Sequence, residues 1–235
     1  LFDAGARYPS EFDLGEAAVL PTLHALGIRR LDMMMISHGD NDHAGGAPAV
    51  AKAYPTAMRL GGEPWRVPLP MAQCRVGQAW RWDDVRFSVL NPTAESLGDV
   101  ATEHDDNDHS CVLLVEGAAG RLLLTGDISK SVEPAVAAAV GVGKPLVLLV
   151  PHHGSKTSSS AAFIAALRPL FALVSAGWRN RFHHPNALVV ARYLAAGVPL
   201  RDTADSGALQ VDFPAHAPPR LVSEERDRER RYWRE

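Results

Sequence analysis

The chain has 235 residues, of which 46% are hydrophobic, and a formal net charge of −3. This length suffices for one sizeable core. The net charge excludes an overall basic surface of the kind that binds nucleic acid. No apolar run approaches the about 18 residues that are needed to span a bilayer. The two cysteines, Cys74 and Cys111, are too few for a disulfide framework, so we expect both to be buried and leave a single bridge between them open.

Apolar strands alternate with helices along the chain, which predicts an α/β fold. Residues 1–3 have the character of a strand end, so we expect the chain to be a piece of a longer protein. The predicted strands are 31–36, 80–82, 85–89, 111–115, 121–125, 146–150 and 170–174, and the predicted helices are 15–26, 48–53, 158–167 and 187–196. The polar stretch 94–109 is predicted as a loop. We predict one domain over residues 1–213 and a charged, flexible tail over residues 214–235.

The first polar cluster follows the strand predicted at 31–36. It comprises His38, Asp40, Asp42 and His43, all within six residues. Two carboxylates this close stay ionised at low cost only when cations lie between them. The pattern therefore indicates metal binding, and the alternative is a solvated polar turn.

Two further clusters also follow apolar strands, where open α/β sheets place their sites. Asp127 ends the stretch Thr125-Gly126-Asp127, and its carboxylate could bridge two metals or cap the next helix. Adjacent histidines at a strand end point in different directions, so we expect one of His152 and His153 to be a ligand and the other to support it or to face the substrate.

Hydroxyl, basic and amide side chains surround these histidines. Ser155, Lys156, Asn180 and Arg181 are the predicted substrate-binding residues, because hydroxyls and guanidinium groups suit phosphate. His184 precedes a proline, which keeps it out of helical conformation and in a defined loop position. The alternatives are helix capping for Ser155 and solvated loop charges for the basic residues.

Together these segments resemble the metallo-β-lactamase superfamily, and more narrowly the C-terminal domain of the ComEC family of competence DNA-uptake channels. The resemblance implies an αββα sandwich, an edge of which would be missing here. It extends over Asp3 to Gly5, His38 to His43, Asn107 to Leu113, Thr125 to Asp127, His152 to Ser155 and Ser175 to Pro185.

The resemblance also implies the roles of individual residues. His38 and Asp40 correspond to ligands of a first metal ion, Asp42 and His43 to ligands of a second, and Asp127 to the bridging carboxylate. His153 matches the later histidine ligand better than His152, and Asp3 matches an acidic residue that supports the site.

The chain departs from the superfamily pattern at two places. Asp106, Asn107 and His109 stand where a further histidine is usual, so we expect Asn107 to support the site and treat His109 as a weak ligand candidate. Asp40 replaces a histidine, and oxygen ligation favours manganese or magnesium more than an all-imidazole zinc site would. We therefore expect two divalent ions, Mn²⁺ or Zn²⁺, with Mg²⁺ as a third option.

The implied function is a metal-dependent phosphodiesterase that degrades the non-transported strand of incoming DNA during natural transformation. Asp42, Asp127 and His184 are its expected catalytic residues. The expected partners are single-stranded DNA and the membrane channel of the same parent chain, at the extracytoplasmic, periplasmic face of the inner membrane. The alternatives are a hydrolase of lactones, thioesters or β-lactams, and a degenerate domain that binds DNA without cleaving it.

Overall fold

The structure, a computed structural model, describes residues 1–98 and 106–228. These residues form two units. The first comprises Leu1–Gln78 and Val89–Val112, and the second comprises Ala79–Ser88 and the described part of Leu113–Glu235. Helices and strands alternate in both, so the predicted α/β class is confirmed. No helix in these described ranges combines the length and apolar character needed to cross a membrane.

The first unit contains a small parallel sheet in the order β1-β2-β3. Its strands are β1 (Met33–Ile36), β2 (Met58–Gly61) and β3 (Ala72–Gln73), and its helices are α1 (Leu20–Ala25), which continues a π-helical turn at Gly15–Val19, α2 (Asn41–Ala44), α3 (Ala47–Ala53) and α4 (Ala94–Gly98). Phe2 forms a parallel bridge with Met35, so the predicted strand character of residues 1–3 is confirmed. α4 and a 3₁₀ turn at Asp106–His109 lie in the stretch predicted as a loop, of which residues 99–105 are outside the described residues.

The core of this unit lies between β1 and the helices. Met34 and Ile36 are fully buried and pack with Val50 and Tyr54 in one hydrophobic cluster. A strand buried on both faces is expected to be a continuous apolar run, as this one is. The consecutive methionines of β1 therefore fill the core.

A disulfide bond joins Cys74 and Cys111 in the first unit. Both residues are fully buried. The Cys74 amide donates to the carbonyl oxygen of Gly61 at 2.9 Å, and the Cys111 amide donates to that of Ser37 at 2.8 Å. The bridge that the sequence left open is thus formed, and it links the residue after β3 to the residue before the strand that begins at Val112.

The second unit is organised on a sheet whose strand order is β10-β9-β8-β7-β6-β5-β4. Its strands are β4 (Ala79–Trp82), β5 (Val85–Asn91), β6 (Val112–Glu116), β7 (Arg121–Leu124), β8 (Leu146–Leu149), β9 (Phe171–Val174) and β10 (Leu200–Asp202). The pairs β4–β5 and β6–β7 are antiparallel, whereas β7, β8, β9 and β10 run parallel. The helices are α5 (Glu133–Val140), α6 (Ala161–Leu167), α7 (Ala187–Ala195), α8 (Thr203–Ser206) and α9 (Glu225–Arg228).

The predicted hairpin of β4 and β5 is confirmed. Its two turn residues, Asp83 and Asp84, have φ angles of 47° and 66°, as a two-residue turn between twisted strands requires. Trp80 stacks on Phe87 with ring centroids 5.4 Å apart, and Trp82 lies 5.2 Å from the same ring. The tryptophans therefore serve sheet packing, as predicted.

The C-terminal part of the chain is more ordered than predicted. β11 (Leu209–Asp212) and β12 (Arg220–Glu224) form an antiparallel hairpin, and the predicted domain boundary at residue 213 lies between them. Glu224 accepts hydrogen bonds from Ser206 Oγ at 2.8 Å and from Arg201 Nε at 3.0 Å. Residues 220–228 thus form a strand and a short helix within the stretch that was predicted as a charged tail, and the flexibility of that tail stays a prediction. Residues 229–235 of the predicted tail lie outside the described residues.

Candidate active site

The polar turn after β1 brings two histidines together in the first unit. β1 ends at Ile36 and α2 begins at Asn41, and this short turn leaves little room between the side chains it carries. The rings of His38 and His43 are 4.2 Å apart between centroids, and both residues are buried. The buried imidazoles of His38, in the turn, and of His43, in α2, therefore lie side by side, as a common metal centre would require.

Asp3 orients His43. The Asp3 Oδ2 atom lies 2.8 Å from His43 Nδ1, and the same carboxylate accepts hydrogen bonds from the Ser37 amide at 2.6 Å and the Ser37 hydroxyl at 2.9 Å. A carboxylate that holds one ring nitrogen fixes the tautomer and leaves the other nitrogen as the metal ligand. Asp3 thus makes the contact expected of a supporting residue, and His43 Nε2 is the candidate ligand atom.

Substitution of Asp3 by Asn should weaken metal binding. The amide keeps the shape of the carboxylate but removes the charge that fixes the His43 tautomer, so we expect the affinity for Mn²⁺ or Zn²⁺ to fall by about 10–100-fold. A competition titration with a chelating dye measures this change. Unchanged affinity in a folded Asp3→Asn variant would show that Asp3 does not tune the ligand.

His38 has a buried ring nitrogen without a hydrogen bond. The residue is 0% exposed, and its Nδ1 lies 3.0 Å from Ser37 Oγ. Nε2 has no hydrogen-bond partner in the described residues. An unsatisfied buried polar atom costs about 1–3 kcal/mol, which a bound metal ion would remove.

Asp40 takes part in an ion-pair network that the sequence did not predict. One of its oxygens accepts a hydrogen bond from Arg66 at 2.8 Å, and the other lies 3.6 Å from His38 Nε2. His38, aided by Arg66, lowers the pKa of the Asp40 carboxyl to about 2 against the opposing effect of partial burial. Asp40 therefore stays an anionic ligand candidate at any physiological pH.

Glu63 anchors this network from the end of β2. It is buried and accepts hydrogen bonds from Arg66 at 2.7 Å and from the Gly39 amide at 2.8 Å. Since β1 and β2 are parallel, the residues that follow them meet at one edge of the sheet. This rule could have identified Glu63 from the sequence once the pairing was known.

His109 is held by residues other than metal ligands. Its Nδ1 lies 3.4 Å from Glu63 Oε1, and its Nε2 lies 3.0 Å from the carbonyl oxygen of Ser96. Both ring nitrogens thus have protein partners, so the structure does not support His109 as a metal ligand. Asn107 accepts a backbone hydrogen bond from Ser110 at 3.0 Å, and its supporting role stays a prediction.

Parallel strands also align the polar residues of the second unit. Asp127 follows β7 and the two adjacent histidines follow β8, so the carboxyl ends of these strands place them together. Asp127 is only 4% exposed. Its Oδ2 atom lies 3.5 Å from His153 Nε2 and 3.7 Å from His152 Nε2. One carboxylate oxygen therefore faces both imidazoles.

The backbone and its neighbours set the direction of both histidines. His152 and His153 have φ angles of 51° and 52°, in the left-handed region. His153 Nδ1 lies 2.8 Å from the carbonyl oxygen of Ser175, after β9, and His152 Nδ1 lies 3.2 Å from Thr157 Oγ1. The Nε2 atoms are thus the nitrogens that point to Asp127, and both histidines qualify as ligands beside it.

The predicted substrate-binding residues differ in what they contact. Ser155 is buried with its hydroxyl 3.0 Å from that of Thr157. Lys156 is exposed, and its carbonyl oxygen accepts a hydrogen bond from Lys130 at 2.8 Å; Lys130 was not predicted. The exposed Arg181 lies with its guanidinium 4.6 Å from the Phe182 ring centroid. For these residues substrate binding stays a prediction.

Asn180 closes the loop that leads to His184. Its side-chain amide donates to the carbonyl oxygen of His184 at 2.7 Å and accepts from the His184 amide at 2.9 Å. The His184 ring lies 6.1 Å from the His152 ring and 6.4 Å from the His153 ring, between centroids. Asn180 therefore closes this loop, its contact with the substrate stays a prediction, and His184 lies beside the adjacent histidines.

Comparisons with known proteins extend over most of the chain. Residues 1–178 match the metallo-beta-lactamase superfamily. The chain is 40% identical over 205 residues to competence protein ComA of Neisseria gonorrhoeae, which covers 85% of this chain and 28% of ComA. It is 36% identical over 219 residues to recombination protein 2 of Haemophilus influenzae, covering 91% and 26% of the two chains. It is 32% identical over 216 residues to ComE operon protein 3 of Bacillus subtilis, covering 86% and 27%. The chain thus spans about a quarter of the length of these curated relatives.

Proposed function

The chain belongs to the metallo-β-lactamase superfamily, and on that premise we propose that it is a metal-dependent phosphodiesterase that cleaves DNA. The observation that carries the proposal is the presence in each unit of imidazole and carboxylate groups that include buried ones, namely His38 and His43 in the first unit and Asp127 in the second. Above all, the buried His38 Nε2 forms no hydrogen bond with any described residue. The similarity to competence proteins agrees with the resemblance found in the sequence and supports a role in DNA uptake.

The donor set suits divalent ions. Imidazole nitrogens bind zinc and manganese, and carboxylate oxygens suit manganese and magnesium. The family resemblance would assign His38 and Asp40 to the first ion, Asp42 and His43 to the second, Asp127 to both, and His153 or His152 as the later histidine ligand. Two bound ions would polarise the phosphoryl oxygens and lower the pKa of a water molecule.

The protein side chains would supply orientation and charge. Asp42, which lies 4.0 Å from His43 through Oδ2, would accept a proton from the attacking water and orient it. His184 would stabilise the charge that develops on the phosphoryl oxygens, together with Lys156 or Arg181. Ser155 would contribute a hydroxyl near the phosphate. Asp3, and by prediction Asn107, would support the ligands.

The setting of the reaction follows from the same proposal. We place the chain at the extracytoplasmic face of the inner membrane, attached to a channel of its parent protein, where it degrades the strand that is not transported. The disulfide between Cys74 and Cys111 supports this location, because disulfides persist in oxidising compartments such as the periplasm.

The proposal is tested by cleavage of labelled single- and double-stranded DNA with Mn²⁺, Zn²⁺ or Mg²⁺ and with EDTA. We expect cleavage that depends on the metal and is lost in EDTA, together with bound metal in elemental analysis. Binding of DNA without cleavage under any metal would overturn the nuclease in favour of a binding module. If the protein hydrolyses a β-lactam, a lactone or a thioester and does not cleave DNA, the nuclease proposal is wrong and the substrate is another ester or amide.

Substitution of Asp42 by Ala should lower the cleavage rate by about 10²-fold or more, because it removes a ligand and a proton acceptor together. Asp32→Ala is the matched control, since the two side chains are 53% and 54% exposed and lie in the same unit. Steady-state cleavage kinetics compare the two variants. Equal activities of the two variants would remove Asp42 from the mechanism.

A further inference from the structure

A loop between β9 and α7 exposes two large aromatic rings. Trp178 is 57% exposed and Phe182 is 60% exposed. Exposed aromatic rings that share one loop are a feature of binding surfaces more than of ordinary protein surface. We call residues 178–182 the aromatic–arginine loop.

Arginines accompany both rings. The guanidinium carbons of Arg179 and Arg226 lie 5.5 Å and 4.8 Å from the Trp178 ring centroid, and that of Arg181 lies 4.6 Å from the Phe182 ring centroid. Since the chain as a whole carries a formal charge of −3, this is a local concentration of positive charge. The loop thus pairs flat apolar rings with groups that bind phosphate.

The loop is held in its conformation. The Asn180 side chain donates hydrogen bonds to the carbonyl oxygens of Gly177 at 3.1 Å and of His184 at 2.7 Å, and it accepts one from the His184 amide. Phe182 stacks on the His184 ring at 5.8 Å with an interplanar angle of 18°. The exposed rings are therefore preorganised, which reduces the entropy lost on binding, and they adjoin the histidines proposed to act on the substrate.

We propose that the aromatic–arginine loop binds single-stranded nucleic acid by stacking bases on Trp178 and Phe182. Exposed cation–π contacts are weak, so a base can replace a guanidinium over each ring while the arginine turns to the phosphate. Only unpaired bases offer their faces to such rings. The inference rests on the proposed function, and it assigns to that site a preference for single strands.

The test measures binding without cleavage. The full chain is titrated in EDTA against two fluorescent strands of equal length and charge, one of thymidine nucleotides and one of abasic nucleotides, with anisotropy as the readout. We expect the protein to bind the thymidine strand about 10-fold more tightly. The double variant Trp178→Ala/Phe182→Ala should lose this difference and still bind the abasic strand.

Tyr8→Ala/Phe12→Ala is the matched control, because these are also two exposed aromatics with ring centroids 5.8 Å apart. It should keep the preference for bases, and so should the conservative variant Trp178→Phe, which retains a ring. Equal binding of the two strands by the unmodified protein would overturn the inference and point to a protein partner for the loop. Equal loss in the control variant would overturn it as well.

Failure of the inference and failure of the proposed function give different results. Hydrolysis of bis(p-nitrophenyl) phosphate, a diester without a nucleobase, reports on the metal-dependent chemistry alone. If the protein hydrolyses this diester but binds the thymidine and abasic strands equally, the phosphodiesterase proposal holds and the proposed role of the loop is wrong. If the protein binds the thymidine strand more tightly but hydrolyses no diester, the proposed role of the loop holds and the nuclease proposal is wrong.

Discussion

Substitution of Asp127 by Asn should reduce metal-dependent hydrolysis by on the order of 10³-fold, or about 4 kcal/mol in the activation free energy. The Asp127 carboxylate is buried and faces the Nε2 atoms of His152 and His153 within 3.7 Å. Asn has the same size but no charge, so it cannot serve as an anionic ligand shared by two cations. We therefore expect the metal content, measured by elemental analysis, to fall together with kcat/KM for a phosphodiester.

Glu133→Gln is the matched control for this experiment. Glu133 is another buried carboxylate of the second unit, and it accepts hydrogen bonds from the Ser160 amide at 3.0 and 3.3 Å before α6. The control should lower stability and leave the metal content unchanged. Should Asp127→Asn retain both metal and activity, the proposed bridging role would be wrong.

Removal of the disulfide between Cys74 and Cys111 should lower the free energy of unfolding by about 4 kcal/mol. The bridge closes a loop with a sequence separation of 37 residues, and the expected loss is the chain entropy that such a loop returns to the unfolded state. The double variant Cys74→Ala/Cys111→Ala keeps small apolar side chains at both buried positions. Urea unfolding, followed by tryptophan fluorescence, measures the loss.

A reductant provides the internal control. Dithiothreitol should destabilise the unmodified protein by a similar amount and leave the double variant unaffected. Because the Cys111 amide donates to the Ser37 carbonyl oxygen, we also expect weaker metal binding at His38 and His43 after reduction. Identical urea midpoints for the oxidised and reduced protein would contradict the stabilising role of the bridge.

The parts of the site that could be predicted are those that follow apolar strands. His38, Asp127 and the adjacent pair His152 and His153 each follow such a strand, and the rule that sites lie outside strand ends was sufficient to select these positions. The preference for His153 over His152 came from the family resemblance. The hairpin at Asp83 and Asp84 was predictable because its turn chemistry is local.

The parts that could not be predicted depend on partners distant in the sequence. Glu63 reaches Gly39 only because β1 and β2 are neighbours, and the sequence does not specify that pairing. The contact between His153 and the Ser175 carbonyl oxygen uses a backbone atom, which no residue type reveals. The C-terminal hairpin was missed although Leu209 and Val211 of β11 alternate with polar residues, because the charged residues after Glu224 were read as one solvated tail.

The left-handed backbone at His152 and His153 affects which replacements these positions tolerate. A β-branched residue such as Val or Ile is strongly disfavoured at φ values near 50°, whereas Gly and Asn adopt them readily. In a library selected only for folded, protease-resistant protein, Gly and Asn should therefore be enriched at both positions. A library selected for hydrolysis should instead return histidine. The comparison of the two selections separates what the backbone requires at these positions from what the chemistry requires.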